Sequence, residues 1–178
     1  MEEQTKTPLL KPALIYGLIS AFIGILISVI FYLLNLTMKS WVGFVSIAIS
    51  IVVLVYLLKA YRNEYLGGYA TYGQLILMAL LIGIVGSLIS AIYTYLLYTV
   101  IDPDLIEKMK VMTEERIMSN ARIPESAYDT VMERLDKRMN VNRLTITAFF
   151  VGTITTFIIG LIVAAFLKKE KTPGEMVS

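Results

Sequence analysis

The 178-residue sequence contains no cysteine and no histidine. Disulfides and thiol chemistry are therefore impossible, and cysteine usage gives no clue to redox compartment. Zinc, haem and iron–sulfur centres lose their usual ligands, and a serine–histidine intramembrane protease cannot be assembled. Charge is also scarce, at 17% of residues, where soluble domains run nearer 25%. Four stretches carry none at all: 13–34, 41–58, 75–101 and 144–167. Each is long enough to cross a hydrocarbon layer of ~30 Å. A soluble enzyme and a disordered chain are excluded by that pattern. The net charge of only +2 offers no basic field for nucleic acid.

The spans lack ionisable groups as well. Intramembrane Asp, Glu, Lys or Arg mark proton relays, ion paths and voltage sensors, because burying them is costly. None occurs here, so neither a proton-coupled pump nor an aspartyl intramembrane protease is indicated. Asn35 and Gln74 are the nearest polar side chains, and both read as interfacial caps. No span contains proline, so the broken helices of secondary transporters are not signalled, and no internal duplication is visible. A pore lined by hydroxyls and backbone carbonyls stays open.

What is present describes an all-α integral membrane protein: four transmembrane helices in a bundle, with a two-helix amphipathic insert between the third and fourth spans. We expect a single membrane domain over 1–178, with 102–143 as the extramembrane insert. A short polar segment with Lys6 and Lys11 precedes the first span, and no A-x-A-like cleavage site follows, so the run reads as a retained helix. The turn Asn35-Leu-Thr-Met-Lys-Ser makes spans one and two a hairpin, and Trp41 suits an interface. In the second connection, Tyr56, Tyr61, Tyr65, Tyr69 and Tyr72 form an aromatic belt around Gly67-Gly68. That pattern reads as an interfacial loop with a glycine cap, or more sharply as a site for a lipid headgroup or peptide.

The third span ends at Ile101-Asp102-Pro103-Asp104, a helix restart in which the carboxylate caps free N–H groups and proline takes the first helical position. Leu105, Met109 and Met112, then Tyr128, Met132, Leu135 and Met139, recur at helical spacing. Ile123-Pro124 separates the two runs, predicting two amphipathic helices of about 18 residues each. Beyond Leu167 the basic tail reads as a floppy end, with Pro173-Gly174 against extended helix.

Four spans place both termini on one side. Close to the span ends, that side holds Lys11, Lys59, Arg62, Lys168, Lys169 and Lys171, whereas the other holds Lys39 and Arg143. The basic residues of the insert are matched by acids. The near-span bias favours cytoplasmic termini and an external insert.

Small residues recur every four positions in three spans: Ser20, Gly24 and Ser28; Ala79, Gly83, Ser87 and Ala91, with Gly86, Ser90 and Thr94 one stripe over; and Gly152, Thr156, Gly160 and Ala164. Such spacing lets backbones approach closely inside a bundle, or drives homodimerisation if a stripe faces outward. With two stripes, the third span belongs at the centre. Met109, Met112, Met118, Met132 and Met139 could offer thioethers to Cu(I), but without histidine or cysteine support they read as gap-filling apolar residues. The carboxylates Glu114, Glu115, Glu133 and Asp136 alternate with Lys110, Arg116, Arg134, Lys137 and Arg138, the pattern of a solvated face with pairs such as Glu133 to Lys137. The sequence presents no catalytic, cofactor-binding or metal-ligating set, and no cofactor is expected.

At Gly67-Gly68-Tyr69 through Tyr72-Gly73-Gln74, and again at Tyr98 through Ile101-Asp102-Pro103-Asp104, the chain resembles the small four-pass membrane proteins of Bacteroidetes catalogued as domain of unknown function 4199. The resemblance covers nearly the whole chain. It implies a Gram-negative inner-membrane location and a bundle-like fold, and it supplies no activity and no site residues.

Two function classes follow. The first is a non-enzymatic multi-pass inner-membrane protein, structural or interacting, whose insert helices bind another copy, another envelope protein or the bilayer surface. Those apolar faces could equally pack on each other. The alternative is a small transporter, channel or lipid-handling protein, supported by the Gly/Ser/Thr-rich third and fourth spans and the tyrosine belt. An intramembrane enzyme lacks its acids and its nucleophile–base pair.

Overall fold

A computed structural model describes residues 9–37, 39–119 and 124–170. The polar N-terminal segment, Ile123 and the tail from Lys171 onward lie outside the described residues. Among the described residues there are six α-helices: α1 (Leu10–Leu33), α2 (Val42–Tyr65), α3 (Tyr72–Leu96), α4 (Leu105–Met118), α5 (Tyr128–Arg138) and α6 (Val141–Leu167). Four helices are long and apolar enough to span a membrane, with α3 and its extension counted together as Tyr72–Ile101. The fold is the four-span all-helical one that the hydropathy required.

Several boundaries move. Helix α1 begins at Leu10 and takes Pro12 into its first turn, where a missing N–H is harmless. Helix α2 continues past Leu58 to Tyr65, so Lys59, Arg62 and Glu64 are helical rather than part of a loop. The helix then stops at Gly67 (φ 63°) and Gly68 (φ 89°), a left-handed pair that only glycine adopts freely. At the other end of the hairpin Asn35 takes φ 54°, which its short polar side chain tolerates.

The chain divides into two compact units, Met1–Ile89 with Val151–Ser178, and Ser90–Phe150. In the first, Leu58, Tyr61, Leu75, Met78, Ala79 and Ala164 are completely buried. The small-residue stripes of α3 and α6 meet in antiparallel register. A Cβ on Gly160 would stand 2.5 Å from the Ala79 Cβ, one on Gly152 2.5 Å from the Ser87 Oγ, and one on Gly83 3.1 Å from the Thr156 Cβ. From the second α3 stripe Gly86 packs on α1, where a Cβ on it would stand 3.5 Å from the Gly17 carbonyl, and beside it a Cβ on Gly17 would stand 2.5 Å from Val85. Accordingly 44% of the residues in the most apolar stretch of the third span are buried, against 17–22% in the others, which places it at the centre of the packing.

The second unit contains the insert, and here the sequence expectation needs correction. Helices α4 and α5 have 14 and 11 residues, shorter than the 18 expected, because the ends of both runs are used differently. Pro103 lies before the first turn of α4, and Asp104 at the cap makes no side-chain capping bond. Asp102 instead pairs with Lys108 at 3.2 Å. After Pro124 a single 3₁₀ turn, Glu125–Ala127, precedes α5. The third span ends in a π-helical turn, Leu97–Ile101, closed by the Asp102 N–H on the Leu97 carbonyl at 2.8 Å. Thr94 and Thr99 donate back to the Ser90 and Tyr95 carbonyls there, a competition that loosens the α-helical ladder.

Candidate interaction sites

Two regions carry polar and aromatic side chains in defined arrangements, one in each unit.

In the first unit, the α2–α3 turn is joined to the end of α6. The Ala70 N–H donates to the Lys169 carbonyl at 2.8 Å, and the Lys169 N–H returns to the Ala70 carbonyl at 3.0 Å. Arg62 donates from Nη1 to the Leu167 carbonyl at 2.9 Å and so satisfies an end group of α6 that the helix itself cannot. The Tyr72 hydroxyl donates to the Leu161 carbonyl at 3.2 Å, and the Lys169 ammonium lies 5.0 Å from the centre of the Tyr69 ring. Thr71 and Gln74 form a reciprocal capping box at the start of α3: Gln74 Oε1 accepts from the Thr71 N–H at 2.9 Å, and Thr71 Oγ1 accepts from the Gln74 N–H at 3.3 Å. The capping role expected of Gln74 is thus present, with a partner that the sequence reading missed although the Thr-x-x-Gln spacing was there to be read.

The five tyrosines do not act as one belt. Tyr56 is 70% exposed and Tyr61 is fully buried, with Tyr65 between them in character. Tyr61 and Tyr65 stack obliquely at 6.0 Å, and Tyr16 meets Tyr65 edge-on at 6.2 Å. The Tyr16 hydroxyl donates to Glu64 Oε2 at 2.9 Å, so a carboxylate beside the apolar layer has a partner from α1. No sequence signal links residues 48 positions apart in this way. The Tyr61 hydroxyl has no hydrogen-bond partner among the described residues.

In the second unit, α4 and α5 pack on each other and are tied by Lys110 to Asp136 at 2.9 Å. That acceptor raises the Lys110 pKa above its ordinary 10.5. The Glu133–Lys137 pair forms on the exposed face of α5, as the i, i+4 spacing predicted. Helix α5 has no buried residue, and in α4 only Leu105 is buried. Val111, Met112 and Met118 are exposed at 46%, 37% and 60%. Met109 takes a contact from the Tyr98 hydroxyl at 3.7 Å. No group of three or more carboxylates converges on a point among the described residues.

Two comparisons returned nothing: no curated protein matches the chain, and no solved structure does. A third matched residues 15–169 to a family described as protein of unknown function (DUF4199), a stretch running from the first turns of α1 to the paired residue Lys169. With nearly the whole chain matched, the protein belongs to the DUF4199 family of proteins of unknown function.

Proposed function

We propose that this is a non-enzymatic multi-pass inner-membrane protein that acts through its α4–α5 arm as a docking element for another protein, with both termini cytoplasmic and the arm outside. The observation that carries this reading is the unfinished burial of the arm. Its two helices cover each other's apolar faces only in part, leaving Val111, Met112 and Met118 exposed in a segment too charged to enter the hydrocarbon layer. Apolar side chains exposed in the spans are explained by lipid; those on the arm are not.

A photocrosslinking residue placed in turn at Val111, Met112 and Met118 in the native membrane tests the reading. One adduct mass recurring from these positions, and absent from Glu107 on the same helix, is the expected result. Adducts of the same mass from Glu107, or none anywhere, sink it. Orientation is read separately by a single cysteine at Ser126 and another at Thr172 with an impermeant maleimide, which a cysteine-free chain permits.

A lipid-handling role is the second reading, favoured by one feature. A groove of about 180 Å³ opens between α1 and α2, lined by Gly24, Ser28, Phe31, Thr37, Ser46 and Ser50. Hydroxyls facing an open groove beside lipid suit an amphiphile with hydrogen-bonding groups. Lipid exchange between vesicles, lost in Gly24→Leu and Ser46→Leu, would move the function to this groove.

A further inference from the structure

The corner where α2, the α2–α3 turn and the end of α6 are joined carries more cations than carboxylates among the described residues. Among the described residues, five cations lie near this end of the first unit, Lys11, Lys59, Arg62, Lys168 and Lys169, against two carboxylates, Glu64 and Glu170. Glu64 is already engaged by the Tyr16 hydroxyl. Glu170 is exposed and follows directly on Lys168 and Lys169, so it offsets part of their charge.

The cations are also held in place. The two-bond pairing of Ala70 with Lys169 turns what would be a free basic tail into a fixed segment, and Arg62 on the Leu167 carbonyl sets that segment against α2. Lys59 stands three positions before Arg62, one turn along the same helix face, and is exposed, as is Lys168. Arg62 spends Nη1 on Leu167 and Nε on the Asn63 side chain at 3.2 Å, leaving Nη2 without an acceptor among the described residues. Tyr69 and Tyr72 flank the group with rings suited to the headgroup level.

We propose that this corner binds the headgroup phosphate of an anionic membrane lipid. Lys59 and Lys168 supply charge from the two sides, Arg62 offers its remaining guanidinium N–H groups, and the Ala70–Lys169 pairing keeps the three together. The occupant follows from charge complementarity and from position: the residues flank the apolar ends of α2 and α6, where lipid phosphates lie. The inference does not depend on the arm reading, since it concerns other residues and a different ligand.

The test uses the purified full chain in nanodiscs of phosphatidylcholine with and without phosphatidylglycerol, counting retained lipids by native mass spectrometry. Wild type should keep phosphatidylglycerol in preference to phosphatidylcholine. The double variant Lys59→Gln/Lys168→Gln should lose that preference by roughly fivefold per lysine removed, whereas Lys39→Gln, in the α1–α2 turn, should keep it. The charge-conserving Lys59→Arg/Lys168→Arg pair should restore retention, which separates loss of binding from loss of fold. Equal retention of both lipids, or an equal loss in Lys39→Gln, overturns the proposal as a mere surface-charge effect. Displacement of the lipid by inorganic phosphate alone at comparable concentration overturns the lipid assignment and leaves a free-phosphate site.

Discussion

The α3–α6 crossing and the α4–α5 arm place their apolar residues in opposite circumstances. At the crossing, residues as small as Ala79, Gly83 and Ser87 meet Gly160, Thr156 and Gly152 so closely that a Cβ added at Gly160 or Gly152 would fall 2.5 Å from its neighbour and one at Gly83 3.1 Å. In the arm, larger apolar groups such as Met112 and Met118 remain in the open. Hydrocarbon solvent gives apolar residues no reason to leave it, so the spans associate through close backbone approach and dispersion contact. Outside the bilayer the same residues are driven to be covered. The lesson is that an exposed isoleucine in α1 means little here, while an exposed methionine in α4 is the feature on which the proposed docking role rests.

The sharpest way to break this contrast is at Gly160. Replacing it with leucine should destabilise the bundle by about 3 kcal/mol or more, because the Ala79 backbone and side chain cannot yield; thermal unfolding in detergent reads the loss. Gly24→Leu, where a Cβ meets nothing within 4 Å, should leave that transition within about 0.5 kcal/mol of wild type. If both glycines behave alike, the distinction between used and unused stripes is wrong.

Ala70→Pro comes next. It removes the N–H that donates to the Lys169 carbonyl at 2.8 Å and should lower stability by about 1 kcal/mol. Proteolysis of the tail should quicken at the same time. Tyr61→Phe should act in the other direction. Deleting a buried hydroxyl that has no partner among the described residues leaves stability unchanged or higher by up to about 1 kcal/mol.

In the arm, Val111→Ser with Met118→Ser should leave the unfolding transition in place and abolish crosslinking at Met112, since neither side chain is buried. Least of all is the alkaline effect. Asp136 raises the pKa of Lys110, so the pair's contribution is complete below the unfolded lysine value and fades as pH rises through the higher folded one. Contact between α4 and α5, followed by a distance probe, should therefore hold at neutral pH and weaken only above the ordinary lysine value of 10.5.

Much of this architecture was legible in advance for identifiable reasons. A run such as 75–101 has no charge to place in hydrocarbon and so must be a span. The two stripes of α3 implied two neighbours, and the structure provides α1 and α6. Gly67-Gly68 ended α2 because two consecutive left-handed residues stop a helix. The lengths of α4 and α5 were overestimated because helical spacing in a charged segment shows which face is apolar, but not where hydrogen bonding stops. The tyrosines were read as one belt because aromatic composition does not distinguish Tyr61, buried in the core, from Tyr56, exposed on the surface of α2.

The sequence by itself determined the solvent. Its four uncharged runs and its glycine punctuation dictate four helices able to span a membrane, with one charged segment between the third and fourth, since backbone polar groups in hydrocarbon must be satisfied within each helix. Only the tertiary structure decided which small residues are spent on close contact, that Glu64 takes the Tyr16 hydroxyl, and that Lys168 and Lys169 are drawn to the end of α2. These are contacts between residues far apart in the chain. A local pattern states what each helix can bury, and the packing of one helix on another selects the partner.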